Sequence, residues 1–186
     1  MKLHPWILAA ALAILPGLAE VRAQETYDFM PRGGKALLIE LLGSPVDTAE
    51  LRLFTGTRRN EDEWNEFLAT RKEPMSDNER RTLAAYLAVN MPLMEGALDE
   101  AAGAGDMVAA LPPDGRELAW NYCQFCHSLF TSHLMQDRDV RGWLGMFESP
   151  FHREIGMSQR ERETFARYSA INMPLRIEEV PEDLRF

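Results

Sequence analysis

An internal repeat constrains this chain more than any other feature of its sequence. Residues 75–93 align without gaps on residues 157–175, and 12 of the 19 aligned positions are identical. Upstream of the two copies, Trp64 matches Trp143. The period of about 80 residues is longer than the 20–50 residues of solenoid repeats. The repeat therefore predicts a duplicated small domain rather than a stacked array.

Each copy of the repeat carries the start and stop signals of a helix. Ser76 and Ser158 are each followed three residues later by a glutamate, the pattern of a capping box. An Asn-Met-Pro sequence closes both copies, and proline cannot continue a helix. No segment shows the sustained alternation or the hairpin turns of β-strands. The sequence therefore predicts an all-α fold.

The N-terminus has the pattern of a secretory signal peptide. Lys2 precedes an apolar run over residues 6–18, and small residues follow at Val21 and Ala23. This order is typical of a segment cleaved during export, which predicts cleavage near Ala23 and a periplasmic location. The run is shorter than the roughly 20 residues needed to span a bilayer, so we expect no stable membrane anchor after cleavage. An uncleaved anchor is the alternative interpretation.

The repeat and the composition between its copies define the expected domains. We expect a signal peptide at residues 1–23, a first domain at 24–94, a linker at 95–112 and a second domain at 113–186. The linker is rich in alanine and glycine and ends at a pair of prolines. Residues 24–122 contain neither cysteine nor histidine. Any site that needs a cysteine or a histidine is therefore expected in the second domain.

The sequence Cys123-Gln-Phe-Cys126-His127 is the attachment signature of a c-type haem. Two thiols at this spacing reach one edge of the porphyrin, and the adjacent histidine donates an axial nitrogen to the iron. The motif predicts one covalent haem c (heme c) in the second domain and none in the first. The alternatives are half of a zinc site completed by His133 and His152, a thiol–disulfide redox pair, or a local disulfide.

Residues 114–128 resemble the N-terminal helix and haem motif of class I cytochromes c. Further along, Trp143, Gly156-Met157 and a helix carrying Tyr168 are similar to short mono-haem cytochromes that serve periplasmic dehydrogenases, such as sulfite dehydrogenase cytochrome subunits. The resemblance covers residues 113–175, and the first half shares it only through the repeat. It implies two tandem cytochrome c-like helical domains, of which only the second holds haem.

The same resemblance implies transfer of single electrons, with the chain acting as subunit or acceptor of a periplasmic dehydrogenase. A haem enzyme, peroxidase-like or thiol-oxidising, with an open or labile sixth position is the alternative. Residues 1–23 hold two of the 20 basic and one of the 29 acidic residues, which leaves a net charge near −10. Such a charge argues against binding nucleic acid or anionic lipid and favours a redox partner with a basic patch.

Several residues compete to be the sixth ligand of the iron. In class I cytochromes the ligand is a thioether in the loop before the last helix, and Met157 has that location. Met75 occupies the same place in the half without cysteines, so a core role for Met157 is the alternative. Met146 and His152 are the main competitors, because neither has a Met or His counterpart in the first half. Met135 and Met173 come after them.

Other residues are expected to surround the haem or to bind partners. Trp120 and Trp143 are expected to pack on the haem, and a propionate is a possible partner for the Trp143 indole. Arg141 is expected either to pair with a propionate or to be solvated. Residues 28–95 are expected to bind the partner dehydrogenase or a second copy of the chain, as a homodimer. The alternative is that this half is a stabilising remnant.

Overall fold

The computed structural model describes residues 27–185. The expected signal peptide and its cleavage near Ala23 lie outside the described residues. Every regular element within residues 27–185 is a helix, which confirms the predicted all-α fold. None of these helices is long and apolar enough to cross a membrane.

Nine α-helices follow one another along the described part of the chain. They are α1 (Gly34–Leu42), α2 (Thr48–Gly56), α3 (Glu61–Ala69), α4 (Asp77–Asn90), α5 (Ala97–Gly103), α6 (Gly115–Cys123), α7 (Val140–Met146), α8 (Pro150–Arg153) and α9 (Gln159–Asn172). A π-helical turn spans Phe130–Leu134. Short 3₁₀ turns span Met107–Ala110, Ile177–Glu179 and Glu182–Leu184. The two copies of the repeat form α4 and α9.

The capping boxes predicted from the sequence begin both of these helices. The backbone N–H of Glu79 donates to Ser76 Oγ, and that of Glu161 donates to Ser158 Oγ, each at 3.3 Å. Each glutamate in turn accepts from the backbone N–H of its serine, at 2.8 and 2.7 Å. Both helices end at the asparagine of the Asn-Met-Pro sequence. Local sequence signals therefore determine both ends of α4 and α9.

The buried side chains form two hydrophobic clusters, one in each half of the repeat. The first is built around Phe54 and Trp64, and the second around Trp143 and Phe165. Met30, which precedes α1, belongs to the second cluster. Leu111, within the predicted linker, belongs to the first. The segments before α1 and α6 thus each extend to the other half of the chain.

Two equivalent hydrogen bonds join α4 to α9. Asn90 Nδ2 donates to Thr164 Oγ1 at 3.0 Å, and Asn172 Nδ2 donates to Thr82 Oγ1 at 2.9 Å. Asn90 and Asn172 occupy the same repeat position, and so do Thr82 and Thr164. The contact between the two helices therefore has approximate twofold symmetry.

Replacing Asn90 with alanine should lower the free energy of unfolding by about 1–3 kcal/mol, because it leaves a buried hydroxyl without its donor. Asn90 is 2% exposed, whereas Asn172 is only half-buried. We expect Asn172→Ala to cost less, at most about 1 kcal/mol, since water can replace the lost amide. Urea denaturation of both variants checks the difference. Equal effects, or a larger loss from Asn172→Ala, would contradict this account.

One carboxylate holds the starts of α1 and α6 together. Asp114 accepts hydrogen bonds from the N–H groups of Arg116 and Glu117 at 3.0 and 3.1 Å, and from two N–H groups at the start of α1 at 3.2 and 3.4 Å. Gly33 occupies the equivalent repeat position, and a Cβ there would lie 2.0 Å from the Asp114 carboxyl group. Glycine at position 33 therefore makes room for the shared cap.

A second glycine sets how closely α6 approaches α9. A Cβ on Gly115 would lie 2.1 Å from Tyr168 Cβ, so only glycine allows the two helices to cross here. Gly34 meets Tyr86 in the same way in the first half. Asp114 and this crossing together fix the orientation of α6, whose last turn carries the first cysteine of the motif.

Candidate functional site

The cysteine–histidine motif begins in the last turn of α6 and continues into the turn that follows. α6 ends at Cys123, and Gln124 caps it by donating from Nε2 to the Trp120 carbonyl oxygen at 2.8 Å. Cys123 is half-buried, whereas Cys126 and His127 are exposed. The end of the helix therefore brings the three side chains to one edge of the second cluster.

The three residues of the motif line one cavity of about 400 Å³. This volume lies in the range of small-molecule and cofactor sites, roughly 300–1,000 Å³. Most of the other lining side chains are aromatic or aliphatic, and none is acidic or basic apart from histidine. They are Tyr122, Ser132, His133, Trp143, Met146, Ser149, Phe151, His152, Ile155 and Phe165.

A second histidine, His152, lies close to His127 in the lining of this cavity. The ring centroids of His127 and His152 are 5.9 Å apart, and the two rings are nearly perpendicular, at 82°. His152 Nδ1 lies 3.2 Å from the Met146 carbonyl oxygen. Because a carbonyl oxygen only accepts, Nδ1 carries the ring proton. The lone pair of His152 is therefore on Nε2.

The structure separates the candidates for a sixth ligand. Met146 and His152 line the cavity together with His127. Met157 is 5% exposed and packs in the second hydrophobic cluster, and it is not among the residues that line the cavity. Met173 is buried in the same cluster, and Met135 is likewise absent from the lining. The geometry therefore brings His152 and Met146 to the motif, but not Met157.

A buried histidine, His133, lies in the wall of the cavity. It is 1% exposed, and its Nε2 lies 2.8 Å from Ser169 Oγ, whereas its Nδ1 has no hydrogen-bond partner. Burial lowers the pKa of His133 to about 3, so the ring is neutral near pH 7. From the sequence, His133 was expected only as a possible zinc ligand. The repeat carries a signal for it, because His133 precedes Trp143 by ten residues, as the apolar Phe54 precedes Trp64.

The other aromatic and basic side chains expected to surround the haem do not all reach the cavity. Trp143 is fully buried in the wall of the cavity, and its indole N–H has no partner. Trp120 packs on Tyr27, with ring centroids 5.4 Å apart, and does not line the cavity. Arg141 is exposed and also lies outside the lining. Of these three residues, the structure therefore brings only Trp143 to the motif.

The pKa of the Cys123 thiol is relevant to the alternative interpretation of the motif as a thiol–disulfide redox pair. Burial raises the pKa of Cys123 to about 12. Reactive CxxC pairs instead have a lowered thiol pKa, because the thiolate is the nucleophile. The environment of Cys123 therefore disfavours disulfide exchange. Within residues 27–185, no group of three or more His, Cys, Asp or Glu side chains is arranged to hold a metal ion.

Comparison with known protein families, with curated proteins and with solved structures finds no match for this chain. The chemistry of the site must therefore be inferred from its own residues. Those residues are a pair of thiols and two neighbouring imidazoles in a mostly apolar cavity, whose lining comes from α6, the π-helical turn, α7, α8 and α9.

Proposed function

We propose that this chain is a c-type cytochrome that transfers single electrons through one haem bound covalently in its second half. The observation that carries this proposal is that Cys123, Cys126 and His127 line one cavity of cofactor size. The motif is the attachment signature of c-type haem, and both thiols lie next to the histidine that would bind the iron.

The chain's own residues hold, orient and shield the cofactor in this proposal. The two thiols would hold the porphyrin through thioether bonds, and His127 would donate a ring nitrogen to the iron. Apolar side chains such as Phe165 and Ile155 exclude water and so set the surroundings of the iron. When bound, the haem supplies a reversible one-electron couple of the iron.

His152 is the sixth ligand that the geometry supports best, in place of the Met157 that the resemblance implies. Two metal–imidazole bonds of about 2 Å place the centres of opposed rings about 6 Å apart. The observed spacing between His127 and His152 is 5.9 Å. Metal-binding histidines usually donate their other N–H to a carbonyl or carboxylate, as His152 Nδ1 does to Met146. Two imidazole ligands give a lower reduction potential than the His–Met pair of class I cytochromes.

The first half fits the role of a related domain without haem. Phe54 and Trp64 stack in its core at 5.6 Å, and Phe67 meets both rings edge-on. Leu51 is fully buried beside them. We infer that residues 28–95 bind the partner dehydrogenase or a second copy of the chain.

The surface around the motif suits brief contact with another redox protein. Phe125 and Phe151 are 76% and 89% exposed, and Phe151 lines the cavity itself. Exposed aromatic side chains are enriched at protein interfaces. The net charge near −10 of the chain without residues 1–23 would steer it toward a basic partner. We therefore infer that the partner is a periplasmic dehydrogenase or another redox protein with a basic patch.

Ligand binding to the ferric holoprotein tests electron transfer against enzyme catalysis. With both axial positions filled, we expect a low-spin ferric spectrum, reversible reduction by one electron and no rapid binding of cyanide. The protein is produced in a bacterial host that carries a cytochrome c maturation apparatus. A high-spin spectrum with rapid cyanide binding would contradict the proposal and favour a peroxidase-like or thiol-oxidising enzyme.

A further inference from the structure

The guanidinium group of Arg138 lies over a tryptophan that lines the cavity. Its central carbon is 5.3 Å from the centroid of the Trp143 ring. Trp143 is fully buried and forms part of the cavity wall, whereas Arg138 is exposed and is not among the lining residues. The same indole ring therefore contacts this cation and borders the cavity.

Two hydrogen bonds connect the Arg138 side chain to the backbone of the cavity wall. Arg138 Nη2 donates to Gln136 Oε1 at 3.2 Å, and Gln136 Nε2 donates to the Thr131 carbonyl oxygen at 2.7 Å. Thr131 belongs to the π-helical turn, and the next residue of that turn, Ser132, lines the cavity. The guanidinium is therefore held between the π-helical turn and the Trp143 ring.

A glycine makes room for the stem of this arginine at the start of α7. A Cβ on Gly142 would lie 3.2 Å from Arg138 Cβ and 3.8 Å from its Cγ. The first half has Glu63 at the equivalent position, immediately before Trp64. The lack of a side chain at position 142 therefore lets Arg138 lie close against α7.

The repeat shows which part of this arrangement is common to both halves. Arg59 precedes Trp64 by five residues, as Arg138 precedes Trp143. The guanidinium carbon of Arg59 lies 4.8 Å from the Trp64 ring centroid and 4.2 Å from that of Phe67. The stack on tryptophan is thus shared by the two halves, whereas the cavity that holds the cysteine–histidine motif belongs to the second.

No carboxylate is paired with Arg138 within residues 27–185. None of the salt bridges there includes this side chain, and its hydrogen-bond partner Gln136 is neutral. Asp137 and Asp139 flank it in sequence, yet neither forms a salt bridge with it, and Asp139 instead caps α7. The positive charge of Arg138 therefore lies beside the cavity wall without a bonded counter-charge.

We propose that Arg138 raises the reduction potential of the haem, through a positive charge that Trp143 and Gln136 hold beside the cavity. The inference rests on the proposed function. Reduction removes one positive charge from the iron, so a nearby cation favours the reduced state. Arg138 lies outside the lining, and it therefore acts on the haem through its charge and not as a ligand. Because the side chain is exposed, water and salt limit the size of the effect.

Potentiometric titration of the Arg138→Gln holoprotein tests this inference. We expect the equilibrium constant for reduction to fall about two- to fivefold, which corresponds to a potential lower by about 20–40 mV. The difference from the wild type should shrink as salt is added. Arg138→Lys keeps the positive charge and should retain most of the wild-type potential. Covalent haem and the low-spin spectrum should persist in both variants.

Two variants serve as matched controls, because each removes one positive charge elsewhere. Arg141 is exposed, lies outside the lining and forms no salt bridge within residues 27–185. Arg59→Gln removes the equivalent stack in the first half, and so reproduces any effect on stability alone. Both Arg141→Gln and Arg59→Gln should change the potential less than Arg138→Gln.

An unchanged potential in Arg138→Gln would overturn the inference. So would an equal fall in Arg141→Gln, which would show an effect of net charge and not of position, or an equal fall in Arg138→Lys. Failure of the proposed function would look different. The wild-type chain would then carry no covalent haem, and no variant would have a haem potential to measure.

Discussion

The His152→Ala holoprotein is expected to lose the low-spin ferric spectrum of the wild type almost completely and to bind cyanide rapidly. The reason is that the ring centroid of His152 lies 5.9 Å from that of His127 in the lining of the same cavity. His152 Nδ1 donates to a carbonyl oxygen, which leaves Nε2 to bind the iron in the proposed cytochrome. Its removal opens one axial position. Absorption and electron paramagnetic resonance spectra measure the change, and added imidazole should restore the low-spin state.

Met157→Ala is the control for this prediction. Met157 is 5% exposed in the second hydrophobic cluster, so its truncation should lower the free energy of unfolding by about 2–5 kcal/mol through the cavity it leaves. The axial spectrum should not change. If Met157→Ala instead removes the low-spin spectrum and His152→Ala retains it, Met157 is the ligand, as the resemblance to class I cytochromes implies.

Replacing Asp114 with alanine is expected to lower the free energy of unfolding by about 2–4 kcal/mol, since one carboxylate caps two helices and a single cap is worth about 1–2 kcal/mol. Asp114 accepts from N–H groups at the starts of both α1 and α6. Burial raises the pKa of this carboxyl group, so its desolvation offsets part of the gain. Denaturation by urea measures the loss.

Asp47 provides a matched comparison, because it caps α2 alone and is exposed. It accepts from the N–H groups of Ala49 and Glu50, both at 3.0 Å. We expect Asp47→Ala to cost about 1 kcal/mol and Asp114→Asn, which keeps one acceptor oxygen, to fall between the two. Equal losses for Asp47→Ala and Asp114→Ala would show that the carboxylate does not act on both helices.

The sequence predicts the helices of the repeat well because their boundaries depend on nearby residues. Ser76 and Ser158 bond within their own first turns, and the closing prolines act on the preceding turn. The shared cap was not predictable in this way. Asp114 reaches the start of α1, some 80 residues away in sequence, and that contact depends on how α6 and α1 pack.

The linker predicted at residues 95–112 shows the same dependence on packing. Its composition indicates an inter-domain connection, with a helical stretch as one alternative, and α5 forms within it. Leu98 and Leu111 in addition pack on the first cluster. The apolar residues are widely spaced, so no local period marks them as buried. Only the folded first half supplies the surface that they cover.

The sequence predicts the residues of the site only within the Cys-x-x-Cys-His motif. Cys123, Cys126 and His127 are brought to one cavity, as a contiguous motif requires. Met157 was selected from the resemblance, but its counterpart Met75 packs against the first cluster, and the structure places Met157 in a core as well. His152 lies on α8, a helix of four residues, and its orientation depends on the carbonyl of Met146 at the end of α7.

Covalent haem attachment tests the central claim most directly. The full chain and a Cys123→Ala/Cys126→Ala variant are produced with a cytochrome c maturation apparatus, and each is examined by intact mass spectrometry and by its pyridine haemochrome spectrum. We predict one haem per wild-type chain, with the spectrum of a haem bound through two thioethers, and none on the variant. A wild-type chain without covalent haem, or haem still attached to the variant, would contradict the account.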